Sequence, residues 1–309
     1  MYTDSNDGMP MKRNATMNNR GEDSSVLVVG DLILDCYVFG TSSRLSPEAP
    51  VPVMSPENTE YAAGGAANVA LNLQSLGAEV TLCGITGRDH LSRRLIECVA
   101  PLSHVHIQKE NIGTTLKTRY LVNDQQVLRV DQETATQCPN DLLKYLPQKI
   151  EQCDTVLISD YNKHLKELIP DIIKMCKGTP VVVDPKVSTW NRYRGATTIT
   201  PNYHEYLLAG GDPDNLETGC ETLRNKFGIK NILLTLGPDG MAFSSSSDFV
   251  RDRLEGIDVV DTTGAGDTAV AAWVFASSRT TDVRECLRFA NAAAGSVCQE
   301  LGTAVVDFS

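Results

Sequence analysis

Four continuous apolar runs frame the chain: Val26-Leu27-Val28-Val29-Gly30-Asp31, Val156-Leu157-Ile158-Ser159-Asp160, Val181-Val182-Val183-Asp184 and Ile232-Leu233-Leu234-Thr235. Short runs without polar alternation are buried on both faces, as the strands of a parallel sheet are. Segments with helical spacing lie between them, at 165–176 and, shorter, at 221–227. This alternation predicts an α/β fold with a doubly wound, mostly parallel sheet. Ligands of such sheets sit beyond the carboxyl ends of the strands. Three of the four runs end there on aspartate: Asp31, Asp160 and Asp184.

Two stretches break the pattern. Between 36 and 54, Ser46-Pro47-Glu48-Ala49-Pro50-Val51-Pro52-Val53 is too rich in proline for a helix and suits an extended edge strand or arm. Between 114 and 131, Leu116, Thr118, Tyr120 and Val122 alternate with Thr115, Lys117, Arg119 and Leu121, and Asn123-Asp124 turns the chain back into 126–130. These inserts predict a small β lid over the active edge; ordinary sheet-edge strands are the competing reading. A long extended segment leaves an exposed edge, so a homodimer pairing through the lid is expected. The final helix carries the stripe Val283, Leu287, Ala290, Ala294, Val297 and Leu301, which is core. Residues 1–25 are polar and mixed in charge, and read as a disordered tail before one domain spanning 26–309.

Composition narrows the function. A net charge of −11 argues against nonspecific nucleic-acid binding. No apolar run approaches the roughly 20 residues of a membrane span. Nine scattered cysteines, odd in number and without a C-x-x-C, fit reduced thiols in a cytoplasmic protein. His104 and His106 share a strand face but have no suggested carboxylate or cysteine partner, so they read as structural.

Candidate chemistry concentrates in Asp261-Thr262-Thr263-Gly264-Ala265-Gly266-Asp267. Glycines opening a small-residue helix leave backbone N–H groups bare, and the helix dipole adds partial positive charge. That makes an anion site, with Asp267 placed as a base beside it. The competing reading is a capped helix with a glycine turn. Gly64-Gly65 opens a second small-residue helix with Asn68 in its first turn. Asn202 and Glu205 have the spacing of a capping box, and also of a pair holding water and Mg²⁺ beside a triphosphate. There is no P-loop lysine motif, so phosphate binding falls to the helix terminus.

Gly64-Gly65-Ala66-Ala67-Asn68, Asn202-x-x-Glu205 and the Asp261 to Asp267 signature, in this order and spacing, resemble the ribokinase-like carbohydrate kinases of the PfkB superfamily. More narrowly, Gly30-Asp31-x-x-x-Asp35, Ser43-Arg44-Leu45-Ser46-Pro47-Glu48-Ala49-Pro50-Val51-Pro52-Val53, Leu157-Ile158-Ser159-Asp160-Tyr161, Asp184-Pro185-Lys186 and Arg192-Tyr193-Arg194-Gly195-Ala196 resemble the kinase domain of the ADP-heptose synthesis enzymes. That domain phosphorylates the anomeric hydroxyl of D-glycero-D-manno-heptose 7-phosphate. Many such enzymes also carry a nucleotidyltransferase domain; the expectation here is a chain with the kinase alone.

The resemblance implies a ribokinase-like fold and roles for particular residues. Asp267 is the base, and Gly264, Ala265 and Gly266 form the anion hole. Asn202 and Glu205 organise Mg-ATP, with Glu205 acting on Mg²⁺ through water. Thr235, Gly237 and Gly240 line the nucleotide, or simply form a hairpin turn; Asn291 approaches the adenine, or simply packs its helix. Asp31, Gly64, Gly65 and Asn68 hold sugar hydroxyls, with Asp160 and Asp184 at the same edge. The far phosphate needs cations: Lys117 and Lys186 first, then Arg119 and Arg129, with Arg192 and Arg194 behind. Asp261 and Thr263 contribute to a monovalent-cation site, with K⁺ the expected ion. Cys36 departs from the pattern, since related heptose kinases often carry arginine there.

Overall fold

The computed structural model describes residues 24–123, 125–134, 141–186, 190–253, 259–300 and 302–307. The expected tail up to Asp23, and Asp124, Cys138, Ile257 and Leu301, lie outside the described residues.

One strand organises the molecule. β1 (Ser25–Leu45) is 21 residues long and takes part in two sheets. Its first half pairs in parallel with β3 (Glu79–Gly87) and β7 (Thr155–Ser159). Its second half pairs with β2 (Pro52–Gly65), antiparallel, and β5 (Thr115–Val122), parallel. β6 (Gln125–Gln132) closes the far side of β5, giving a four-stranded small sheet β2-β1-β5-β6. The main sheet runs outward from β1 through β3 to β4 (His104–Glu110) on one side. On the other it runs through β7, β8 (Val181–Asp184), β9 (Thr198–Ile199) and β10 (Asn231–Thr235), all parallel. Two antiparallel strands, β11 (Met241–Ser244) and β12 (Phe249–Asp252), end that edge.

Side-chain alternation on β1 feeds two cores. Val26 and Val28 join the layer of α1 (Ala66–Ser75), α7 (Ala265–Arg279) and α8 (Val283–Val297). Leu27 and Val29 join the layer of α3 (Asp141–Ile150), α4 (Ile169–Met175) and α6 (Leu216–Phe227). This is the two-sided burial the apolar runs imply. α2 (Leu91–Cys98) follows β3, and α5 (Tyr203–Leu208) follows β9. α1 and α7 are buried along nearly their whole length by small residues, Ala66, Ala67 and Ala70 against Ala269, Ala271 and Ala272. Small side chains let the two backbones approach closely, and this brings their N-terminal turns together at the carboxyl edge of the sheet.

The prolines behave differently from expectation. Residues 46–51 form a bend, with Ser46 N–H bonded to Val51 C=O at 2.8 Å, and β2 begins only at Pro52. The strand partners are therefore longer than the 36–54 insert suggested, because β1 continues without a break past Asp31. Helix 221–227 likewise extends back to Leu216, where Asn215 caps it, and ends at Gly228 in the left-handed region, φ 67°. Among the described residues no helix is long and apolar enough to cross a membrane.

Candidate active site

α7 starts where Gly264 adopts φ 83°, a conformation few residues besides glycine take. Ala265 N–H returns to Thr262 C=O at 3.2 Å, and the first helical bond runs from Thr268 N–H to Gly264 C=O at 2.9 Å. The N–H groups of Gly266 and Asp267 have no acceptor among the described residues. A Cβ at Gly266 would meet nothing within 4 Å, so the space before this turn is open. Two unpaired donors at the positive end of a 15-residue helix are what an anion site requires. Ala265 differs from the expectation: its N–H is engaged inside the turn, and the bare donors are those of Gly266 and Asp267.

The Asp267 carboxylate is only 6% exposed. Its Oδ2 accepts from Asn68 Nδ2 at 3.0 Å and its Oδ1 from the Tyr161 hydroxyl at 2.8 Å. Burial pushes its pKa up, and the two hydrogen bonds and Lys186 offset that only in part. Asn68 is fixed by Asn72, whose Nδ2 donates to Asn68 Oδ1 at 3.1 Å. Asn72 Oδ1 in turn accepts from Thr268 Oγ1 and Val306 N–H, so α1, α7 and the C-terminal segment are tied behind the site.

Cations and carboxylates surround this pair. Lys186 Nζ lies 3.6 Å from Glu205 Oε1 and 5.1 Å from the Tyr161 ring centroid. Lys117 Nζ, carried by β5, lies 4.8 Å from the same centroid. Burial opposes the charge on Lys186, but Asp184, Glu205 and Asp267 outweigh it and raise the pKa. Burial lowers that of Lys117, with Arg119 and Lys186 adding to the effect. Asp184 accepts from Thr200 Oγ1 at 2.9 Å and is pushed up to about 8, by burial first and then by Asp267 and Glu205. Asn202 and Glu205 form the full capping box: Glu205 N–H donates to Asn202 Oδ1 at 2.8 Å and Asn202 N–H to Glu205 Oε2 at 2.9 Å. Oε1 is left facing Lys186.

Several expected ligands are engaged elsewhere. Asp31 accepts four backbone N–H bonds, from Tyr161 and Lys163 on Oδ2 and from His164 and Leu165 on Oδ1, at 2.9–3.2 Å. Four bonds use the accepting capacity of a carboxylate, so Asp31 holds the loop and not a sugar hydroxyl. Asp160 is also corrected. It accepts from Asn162 N–H and from the Tyr193 hydroxyl, both at 2.6 Å, and from Arg192 at 3.4 Å. Arg119 Nη1 pairs with Asp35 at 2.6 Å, and both side chains are buried, so this guanidinium is not a spare cation for a distant phosphate. Asn291 donates through Nδ2 to Asp252 Oδ2 at 2.8 Å and to its C=O at 3.3 Å, which ties α8 to β12. Arg129 is exposed on β6 and pairs with Asp131, and Arg194 reaches Lys226 C=O behind the sheet. Arg192 is held by Asp160 and Asn162.

Gly237 and Gly240 form the turn between β10 and β11, and Thr235 N–H is bonded to Pro201 C=O at 3.0 Å. The hairpin reading is thus realised, at the carboxyl end of β10. Asp261 Oδ1 accepts from Thr263 N–H and Oγ1, at 2.9 and 2.8 Å, and Oδ2 accepts from Gly302 N–H at 2.9 Å. Their first use is to shape the loop before α7. Gly64 and Gly65 end β2; a Cβ on Gly64 would come within 3.0 Å of Asp35 Cγ. His104 lies 3.6 Å from Glu79, and the His106 ring stacks on Tyr145 at 3.6 Å.

Three residues enter the site without an assigned role in the sequence reading: Asp35, Tyr161 and Thr303. Asp35 and Tyr161 sit in the quoted motifs, four residues after Asp31 and one after Asp160. Thr303 carries no sequence signal. Its Oγ1 lies 2.6 Å from the Tyr37 hydroxyl and 3.4 Å from Asp35 Oδ2, and it packs against Gly264.

Comparison with known proteins gives the same picture of the fold. A family profile described as pfkB family carbohydrate kinase matches residues 23–307. Bifunctional protein HldE of Helicobacter acinonychis is 37% identical over 297 residues, which is 91% of this chain and 64% of that protein. The corresponding protein of Desulfatibacillum aliphaticivorans is 37% identical over 91% of this chain and 61% of its own length. The chain thus spans less than two thirds of the curated relatives it matches. Among solved structures, Arabidopsis thaliana ribokinase complexed with ribose and ATP superposes with a TM-score of 0.76 at 24% identity, covering 91% of this chain and 94% of that one. Escherichia coli phosphofructokinase-2 in complex with potassium superposes with a TM-score of 0.76 at 20% identity, covering 92% and 95%.

Proposed function

The chain belongs to the pfkB family of carbohydrate kinases, and from that premise we propose that it transfers the terminal phosphoryl group of ATP to the anomeric O1 of D-glycero-D-manno-heptose 7-phosphate. The observation that carries the reading is the start of α7, where a buried carboxylate, Asp267, stands beside two unpaired N–H donors. The choice of sugar follows from the quoted motifs and from the HldE proteins. The product is the 1,7-bisphosphate, a precursor for ADP-heptose.

In this reaction a bond forms from O1 to the terminal phosphorus, and the bond from that phosphorus to the bridging oxygen of ADP breaks. The O1 proton passes to Asp267, whose raised pKa suits a general base. Asn68 holds that carboxylate by its Oδ2. Gly264 permits the turn, and the Gly266 and Asp267 N–H groups stabilise charge on the group in transfer. Lys186 supplies positive charge among Asp184 and Glu205. Asp35, Gly64 and Asn68 form the sugar side. Lys117 is the lid's candidate for sugar-phosphate charge.

Mg²⁺ takes most of its ligands from phosphates and water and needs one or two carboxylates. Glu205 fits this through water, since the capping box uses Oε2 and leaves Oε1 facing Lys186 and not a backbone donor. When bound, the ion neutralises charge on the phosphates. Asn202, Thr235, Gly237 and Gly240 lie on the nucleotide side. A monovalent cation belongs near Asp261 and Thr263, held by the loop those residues shape.

The reading extends to a cytoplasmic homodimer. Leu45, Val127, Leu128 and Val130 are exposed on the small sheet, and a partner's sheet would cover them. Sedimentation is expected to give a dimer at micromolar concentration; a monomer there rejects that part. The substrate is tested by ADP release against a panel of heptose 7-phosphate, ribose and fructose 6-phosphate. Preference for heptose 7-phosphate is expected, and activity confined to another sugar overturns the assignment.

A further inference from the structure

Tyr161 is held more firmly than a loop tyrosine needs to be. It follows β7 and opens a turn whose N–H groups at Tyr161, Lys163, His164 and Leu165 all converge on the Asp31 carboxylate. Asn162, inside that turn, takes a left-handed φ of 58°, and its N–H is bonded to Asp160 at 2.6 Å. The same turn is anchored to the small sheet side by Lys163, 2.5 Å from Glu133, and by His164, whose Nε2 lies 3.4 Å from Thr115 Oγ1. A frame built from three directions fixes one side chain, and its hydroxyl ends 2.8 Å from Asp267 Oδ1. The two lysines over its ring add cation–π contacts that hold the ring plane.

We propose that Tyr161 is the positioning residue of the transfer reaction: its hydroxyl orients the Asp267 carboxylate and keeps it ionised as the acceptor of the sugar proton. This rests on the reading of Asp267 as the base. Asn68 and Tyr161 grip the two oxygens separately, so the carboxyl group cannot rotate about its own axis without breaking a bond. A hydrogen bond donated to the charged form favours that form. Tyr161 remains the donor because burial and Asp267 hold its phenol well above the ordinary range. The other charged groups facing Asp267 are Lys186 and Asp184, from β8 and the residues after it, and Asp35 from β1. Lys186 favours ionisation and the two aspartates oppose it, so the carboxylate needs its neutral donors.

Tyr161→Phe removes the hydroxyl and keeps the ring on which Lys117 and Lys186 rest. The expected result is a kcat lower by about 10- to 100-fold with KM for sugar phosphate and ATP within about threefold, and an acidic limb of kcat displaced to higher pH. In an Asp267→Asn background the same change is expected to cost nothing further. Carboxyl NMR of ¹³C-aspartate-labelled protein without substrate, with Asp267→Asn supplying the assignment, reads the effect independently of turnover. Upward movement of the Asp267 titration in Tyr161→Phe is the expected result. An unmoved Asp267 titration, or wild-type kcat in Tyr161→Phe, overturns the inference. Near-normal turnover in Asp267→Asn alone overturns instead the reading of Asp267 on which it stands.

Discussion

Asp31 and Asp267 are both buried aspartates at the carboxyl edge of one sheet, and they do opposite things. Asp31 is closed on all sides by four backbone N–H donors from one loop. Asp267 has one side-chain donor on each oxygen and open space at Gly266 beside it. Asp160 falls with Asp31, and Asp184 falls with Asp267, facing Lys186. Place in the fold therefore does not separate a carboxylate saturated by donors from one left open. The count of donors against acceptor capacity does.

The largest effect that would test this contrast is on turnover. Asp267→Asn is expected to reduce kcat by about 10³-fold or more while leaving ATP binding and Tm nearly unchanged. Steady-state kinetics and a thermal melt check both halves. Asp31→Asn is expected to do the reverse. An amide turns an NH₂ toward two N–H donors, and leaving buried donors unpaired costs roughly 3 kcal/mol, or about 5–10 °C in Tm. KM values measured well below that Tm should stay within twofold; a Tm equal to wild type would break the comparison.

A pH-dependent effect separates Asp184 from its neighbour Asp267. Asp184 binds its proton more tightly folded, at about 8, than the ordinary value of 3.8. Between those values the folded state holds the extra proton, so stability is greatest at low pH and falls as pH rises from about 4 to about 8. The slope is at most about 1.4 kcal/mol per pH unit for one group. Urea melts from pH 5 to 9 should show a shallower decline in Asp184→Asn than in wild type. The smallest effect belongs to Arg129→Ala. Arg129 is exposed and paired with Asp131 on β6, so kcat/KM is expected to stay within twofold.

The layered fold was legible because its signal is local. Each apolar run is buried on both faces, and Val26 through Val29 alternate between the two cores as a parallel strand must. The full length of β1 was not legible, since Gly30-Asp31 reads as a strand end. The strand continues because β2 and β5, distant in sequence, pair with its second half. The glycine turn that opens α7 was legible at Gly264 and Gly266, whose freedom is a property of the residue itself. The engagement of Asp31 was not, because its donors lie about 130 positions away and are backbone groups with no residue signature. Tyr161 was hidden for the same reason: its role comes from where Asp31 holds it, not from its neighbours in the chain.

The most direct measurement is ³¹P NMR of the chain incubated with ATP, Mg²⁺ and D-glycero-D-manno-heptose 7-phosphate. The account predicts a new anomeric phosphate resonance alongside the 7-phosphate, forming with ADP and absent with Asp267→Asn. Release of inorganic phosphate without an anomeric signal, or the same signal from Asp267→Asn, would contradict it.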